Sequence, residues 1–277
     1  MRQTIVLFLL SVSLFCKPAF CQQTHTSRAL KDSVENRYLK QGTYYYSYFS
    51  NEWQSNLDSA LAITPDNDYL WQQKAMPYFK CRKYEVGMQY LDKAVVLNPK
   101  EYLGYRGFIK CIFSKNYADA IIDFSNAIEF NGDKTEMEHP YSFYIGIGYL
   151  QLNKFDSAIS YLTKTVETES PSGSTYLIHF MDWFYLGIAQ YESKNYTAAI
   201  IFFDKTIQLY SHFSEAKFYK AICLHKLRIK QEEALVLFEE AAIDFKNGYS
   251  FTEDNCVYEK YPYQLSEYIV KYRGAGM

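Results

Sequence analysis

The chain has 277 residues, of which 48% are hydrophobic, 22% charged and 18% aromatic, a composition typical of a folded globular protein rather than a disordered one. A formal net charge of -2 gives it no overall attraction to nucleic acid, which is therefore not an expected partner. With only 12 Gly and 7 Pro but 28 Tyr and 20 Phe, the composition favours helices around a large aromatic core.

Residues 1–21 have the pattern of a signal peptide. Arg2 supplies a positive charge, residues 5–16 are almost all apolar, and Ala19-Phe20-Cys21 resembles a cleavage site. The apolar run is shorter than the roughly 20 residues that span a bilayer, so a retained anchor is the less favoured alternative. We therefore expect a mature chain that starts near Gln22, has no transmembrane segment and is exported to the periplasm or the extracellular space.

An internal repeat is the most informative feature of the sequence. A small residue, a bulky apolar residue four positions later and a small residue three positions further on recur at intervals of roughly 33 to 41 residues. This spacing places the three side chains on one face of a helix, where small residues allow a second helix to approach. The five units are Gly87-Leu91-Ala94, Ala120-Phe124-Ala127, Ala158-Leu162-Thr165, Ala199-Phe203-Thr206 and Ala234-Phe238-Ala241.

A second helical stretch precedes each of these helices, for example Trp183 with Leu186-Gly187 in the fourth unit. Together the two stretches resemble the tetratricopeptide repeat (TPR) family, whose pattern is W-x2-L-G-x2-Y, then A-x3-F, then A, then P. Pro99 stands five residues after Ala94, at the position of the family's terminal proline. Pro77 departs from the pattern, because it falls within a first helix and is expected to kink or interrupt it unless the lost hydrogen bond is locally compensated.

The resemblance implies an all-α fold, a TPR solenoid of antiparallel helix pairs with N- and C-terminal capping helices. Residues 67–246 are expected to form five TPR-like repeats, and residues 22–66 an N-terminal cap with a degenerate repeat. Residues 247–277 are expected to form a C-terminal tail and capping helix, because Leu265, Tyr268, Ile269 and Tyr272 have helical spacing. Insertions near residues 131–138 and 167–178 are expected to form surface loops or partner-binding elaborations.

A partner-binding groove is expected on the concave face, which the first helix of each pair forms in the resembled family. On the first helix of each of the five units, one position lies next to the residues that pack against the second helix. At four of these five positions the residue is aromatic, as is typical of interface anchors. The alternative is that these rings pack between repeats or under the caps. The candidate groove residues are Tyr69, Gln72, Tyr105, Phe143, Phe184, Tyr191 and Tyr219.

Catalytic and metal-binding patterns are missing from the sequence. It contains no GxSxG, HExxH or phosphate-binding loop, so no catalytic residue and no enzymatic activity are expected. The five histidines have no metal-ligand spacing with Cys or Glu, so neither a metal site nor another cofactor is expected. Cys81, Cys111, Cys223 and Cys256 remain after signal cleavage, and isolated cysteines on helices are usually buried thiols, although an exported chain permits disulfides.

Two functions are consistent with these features. The first is a non-catalytic protein-protein interaction scaffold of the cell envelope, which binds a protein or peptide partner through the aromatic concave groove. The alternative is an exported module that binds a glycan or another small ligand, because aromatic faces also stack on sugar rings.

Overall fold

A computed structural model describes residues 26–169 and 178–273, and this part of the chain is all-α apart from one short β-hairpin. The predicted signal peptide lies outside the described residues, as do residues 170–177 of the second insertion. The helices are α1 (Arg28–Glu35), α2 (Asn51–Ile63), α3 (Asp68–Lys80), α4 (Tyr84–Leu97), α5 (Pro99–Phe108), α6 (Tyr117–Asn131), α7 (Tyr141–Gln151), α8 (Phe155–Glu169), α9 (Phe180–Glu192), α10 (Tyr196–Leu209), α11 (Ser214–Leu227), α12 (Gln231–Lys246) and α13 (Glu267–Arg273). Within the described ranges, none of them is both long enough and apolar enough to cross a membrane.

Helices α3 to α12 form five consecutive pairs, each packed against the next. The repeated small residues lie where the helices cross: the first small residue of every unit is buried, and so is the third. At Gly187 in α9, a Cβ atom would lie 2.7 Å from the Phe203 ring of α10. The expected solenoid of antiparallel helix pairs is therefore confirmed, and close helix approach explains the small residues.

The N-terminal pair is α1, extended by a π-helical turn (Asn36–Lys40), with α2, and it has its own small core. Trp53 and Leu57 of α2 are buried against Val34, Leu39 and Leu70. Ser27 and Ser50 accept hydrogen bonds from the backbone N–H groups of Leu30 and Trp53, which caps α1 and α2.

Pro77 does not interrupt α3, which continues to Lys80. A proline has no N–H, so the carbonyl oxygen of Gln73, four residues earlier, loses its helical partner. In the structure that oxygen accepts a hydrogen bond of 3.3 Å from Nε1–H of Trp53. Helix α3 is thus not interrupted, because a side chain of the preceding helix supplies local compensation for the lost bond.

The first insertion forms a two-stranded antiparallel hairpin of β1 (Thr135–Glu136) and β2 (His139–Pro140), placed directly before α7. Its tip is Met137, a non-glycine residue with a φ of 52°. The hydroxyl of Tyr144 in α7 donates to the carbonyl oxygen of Glu136 and attaches the hairpin to the solenoid.

Residues 247–266, here called the C-terminal strap, cross the first helices of the pairs and then return. The strap leaves α12, reaches the α3–α4 turn, where Arg82 donates to the carbonyl oxygen of Tyr258, and returns to α11, where the Leu265 N–H donates to Glu215. Helix α13 follows the strap. The face of the first helices that the strap contacts is called the inner face below.

Candidate partner-binding groove

Three of the predicted groove residues, Tyr69, Gln72 and Tyr105, line one cavity of about 470 Å³ on the inner face. We call this cavity the open groove. Helices α3 and α5 form its floor, the β-hairpin forms one wall, and Asn255 of the strap closes one end. The other lining residues are Gln73, Met76, Phe79, Lys80, Glu101, Tyr102, Phe108, Ile109, Phe113, Glu136 and Met137.

The aromatic residues of the open groove are held by their neighbours. The hydroxyls of Tyr69 and Tyr44 share a hydrogen bond of 2.8 Å, which orients Tyr69 at the start of α3. Burial raises the pKa of Tyr105, and a hydrogen bond with the side chain of Gln72 offsets part of this increase. These side chains therefore present a preformed surface that combines ring faces with hydroxyl and amide groups.

Two carboxylates make the open groove acidic. Burial, together with the nearby charge of Glu101, raises the pKa of Glu136 to about 7. Lys80 is the cationic side chain that lines the cavity, and its Nζ donates to the hydroxyl of Tyr258 and lies 4.1 Å from the centre of that ring. Because Lys80 is engaged by the strap, the groove offers Glu101 and Glu136 to a positively charged ligand.

The other predicted groove residues are Phe143, Phe184, Tyr191 and Tyr219, and the strap contacts Phe184 and Tyr219. Phe143 and Phe184 are 0% exposed and Tyr219 is 6% exposed. The ring of Phe251 in the strap packs edge-to-face on Phe184, with the ring centres 5.7 Å apart. These residues are covered by the chain itself in this structure.

Tyr191 and Tyr219 lie at the far end of the inner face. Tyr191 is half-buried between Tyr196 and Tyr219, and Tyr263 of the strap contacts Tyr219 with ring centres 5.9 Å apart. The hydroxyl of Tyr263 also donates to Glu192 at 2.9 Å. This aromatic end of the inner face therefore binds a tyrosine of the strap through both its ring and its hydroxyl group.

Sequence reasoning missed the residues that the hairpin and the strap contribute to this face. Glu136, Met137 and Asn255 line the open groove but lie outside the helical repeat columns. The only available signal was the unequal repeat spacing. It located the insertion near residues 131–138 but did not indicate which face of the solenoid the inserted residues would contact. The strap has no repeat spacing, so its path could not be read from the sequence.

Cysteine and histidine environments also appear only in three dimensions. In the described part of the chain, Cys81, Cys111, Cys223 and Cys256 are all free thiols. The sequence spacing indicated no metal site, yet the structure brings together His139, His179 and Glu253, which are far apart in the chain.

Comparison with known proteins gives matches among solved structures alone. No protein-family model matches the chain, and no curated protein matches it either.

The solved structures similar to this chain are TPR proteins. PilW, described as a widely conserved type IV pilus biogenesis factor, has a TM-score of 0.61 at 13% identity, over 83% of this chain and 99% of that chain. The C-terminal part of a TPR repeat-containing protein from Cytophaga hutchinsonii has a TM-score of 0.57 at 18% identity, over 79% and 80% of the two chains. YrrB, described as a TPR protein with an unusual peptide-binding site, has a TM-score of 0.51 at 14% identity, over 69% and 93%. At such identities the likeness establishes the architecture, and the chain therefore has the tetratricopeptide-repeat fold that its five repeats predicted.

Proposed function

We propose that this chain is a non-catalytic protein-interaction scaffold of the cell envelope, which binds an extended segment of a partner protein in the open groove. The observation that carries the proposal is that the same inner face already holds a polypeptide. The strap is bound there by main-chain hydrogen bonds, including Tyr185 Oη–H to the carbonyl oxygen of Pro262 at 2.8 Å, and by aromatic side chains set between the helices.

The open groove continues the surface that the strap occupies. Asn255 lies at the boundary between the two, so a bound segment would extend the line of the strap toward α1 and α3. YrrB, which is similar in fold, is described as a TPR protein with an unusual peptide-binding site, and this supports peptide binding here. Peptide binding is also the general use of the face formed by first helices in the family that the repeats resemble.

The charges of the groove favour a segment with an apolar side chain beside a Lys or Arg. Glu101 and Glu136 face the cavity, whereas Met76, Tyr102 and Tyr105 supply its apolar surface. A basic side chain would pair with carboxylates that are partly shielded from water, and an apolar one would displace water from the ring faces.

The envelope location rests on the signal-peptide pattern of residues 1–21. PilW, which is similar in fold, is described as a pilus biogenesis factor, and we infer a comparable assembly setting for this chain. N-terminal sequencing of the protein from its own cells should give a mature end near Gln22, and an intact Met1 would contradict the location.

Site-specific photo-crosslinking in the native cells tests the binding site. A photoreactive amino acid at Gln72 should crosslink a defined protein, while the same group at Val96, which is 82% exposed on α4, should not. Replacing Tyr69 and Tyr105 together by Ala should abolish the crosslink with helicity preserved. Tyr45→Ala is the matched control, because this tyrosine is 78% exposed and does not line the groove. Equal crosslinking at Gln72 and Val96 would refute the site.

The acidity of the groove gives a second test once the partner segment is known. Because the pKa of Glu136 is raised to about 7, its carboxyl group is neutral below that pH and charged above it. The affinity for a basic segment should therefore rise about 2- to 5-fold as the pH rises through 7, and Glu136→Gln should remove this dependence. Binding of the protein to sugars on a glycan array, without a protein crosslink in the cells, would instead support the glycan-binding alternative.

A further inference from the structure

A buried cluster of metal-ligating side chains joins three distant parts of the fold. His139 is in β2, His179 is the residue before α9, and Glu253 is in the strap. Their ligand atoms all lie within 4.8 Å of one another, and Nε2 of His139 is 3.4 Å from Oε1 of Glu253. His139 is 0% exposed and Glu253 is 4% exposed, whereas His179 is half-buried at the edge of the cluster.

Asp182 orients the first ligand of this cluster. Nδ1 of His139 is 2.9 Å from Oδ1 of Asp182, and with the ring proton on Nδ1 this nitrogen donates to the carboxylate and leaves Nε2 to bind an ion beside Glu253. A carboxylate that accepts from the second ring nitrogen is the usual support of a metal-bound histidine. The other oxygen of Asp182 is buried and has no hydrogen-bond partner among the described residues.

The two carboxylates of the cluster give it a charge that a divalent cation would balance in full. Among the described residues, neither Asp182 nor Glu253 pairs with Lys or Arg. A protonated His139 between these two carboxylates leaves one uncompensated negative charge in a buried site, which is costly. A doubly charged ion on a neutral His139 cancels both carboxylate charges.

His179 supplies a second ring nitrogen, and its ring lies edge-on to that of His139 with the ring centres 4.8 Å apart. Its Nδ1 accepts from the N–H of Met181 at 3.4 Å, the long end of hydrogen-bond distances. Metal binding through Nε2 would move the proton to Nδ1 and give up only this weak bond.

We propose that His139, His179 and Glu253 bind a divalent transition-metal ion of the zinc type, with Asp182 as the orienting residue. Two imidazoles and one carboxylate are a common zinc ligand set, and tetrahedral zinc places its ligand atoms about 3.4 Å apart. The His139–Glu253 pair already has this separation, and the ligand atom of His179 lies within 4.8 Å of both. Because Glu253 belongs to the strap, the ion fastens the strap to β2 and α9.

The test uses the full chain, freed of metal with a chelator and titrated with zinc chloride alone. Calorimetry and elemental analysis after dialysis should show about one ion per chain. At free zinc about 100 times the dissociation constant, Tm should rise by about 5–10 °C. Absence of stoichiometric uptake by the wild-type chain would overturn the proposal.

Three variants test two of the ligands and the orienting residue, and a fourth is the control. Glu253→Gln and His179→Gln should abolish uptake, and Asp182→Asn should weaken it by about 10- to 100-fold. His212→Gln is the matched control, because His212 is 55% exposed and pairs with Asp244 elsewhere. Circular dichroism checks that each variant is folded. Uptake that survives in both His179→Gln and Glu253→Gln would overturn the proposal.

Two further measurements separate this site from the free thiols and test the fastening of the strap. The cobalt-substituted chain should show tetrahedral d–d absorption without a thiolate charge-transfer band, and a thiolate band would place the ion on a cysteine and refute the site. Zinc should slow trypsin cleavage after Lys260, an exposed strap residue, by about 10- to 100-fold. Unchanged cleavage would show that Glu253 does not bind the ion.

Discussion

Gly146 shows how single residues set the distance between paired helices. A Cβ atom at this position of α7 would lie 2.6 Å from Cγ of Leu162 in α8, closer than packed carbon atoms approach. The sequence pattern identified Leu162 as the bulky residue of its repeat. The contact itself, and therefore the cost of adding one carbon, is visible only in the structure.

Gly146→Ala should destabilise the chain by about 1–3 kcal/mol, because the added methyl group overpacks the α7–α8 crossing. The change would otherwise be stabilising by about 1 kcal/mol, since Ala is the better helix former. Thermal unfolding measures the difference, with Ser160→Ala on the exposed face of α8 as the control. A Tm equal to or above that of the wild type would contradict the proposed packing.

At the scale of the helices, α2 supplies a hydrogen bond that Pro77 removes from α3. Trp53 in α2 and Pro77 in α3 are far apart in the sequence, which offered no reason to connect them. In the structure, Trp53 donates to the carbonyl oxygen of Gln73 that Pro77 leaves without a helical partner. The tryptophan and the proline are therefore parts of one arrangement.

A double-mutant cycle on Trp53 and Pro77 tests this connection. In the wild-type background, Trp53→Phe leaves the Gln73 carbonyl without a donor, whereas in Pro77→Ala the restored backbone N–H can satisfy it. We expect Trp53→Phe to cost about 1 kcal/mol less in the Pro77→Ala background. Denaturant unfolding gives the four stabilities, and equal costs in both backgrounds would show that the two residues act independently.

On the scale of the whole molecule, the strap determines which part of the inner face is open. It covers Phe184 and Tyr219 and leaves Tyr69, Gln72 and Tyr105 accessible. Phe251 anchors it among Phe184, Tyr185 and Phe213, with ring centres 5.3 to 6.2 Å apart. The strap is thus part of the core at one end and a boundary of the groove at the other.

Phe251→Ala should release this anchor and destabilise the chain by about 3–5 kcal/mol, because a large aromatic side chain is removed from a packed site. Trypsin should then cleave faster after Lys260. Val257→Ala in the same strap is the control, since Val257 is 78% exposed. If both variants unfold and are cleaved like the wild type, the strap is not anchored by Phe251.

The sequence by itself determined the helix pairs, their order and the residues at their crossings, because these depend on contacts between neighbours in the chain and recur in every repeat. It also placed Tyr69, Gln72 and Tyr105 on the inner face. Tertiary structure alone decided that Phe143 and Phe184 are covered, that the hairpin forms a wall, and that His139, His179 and Glu253 meet. These features arise from an insertion and a terminal segment that occur once, and the contacts of such segments join residues far apart in the chain, which periodicity does not encode.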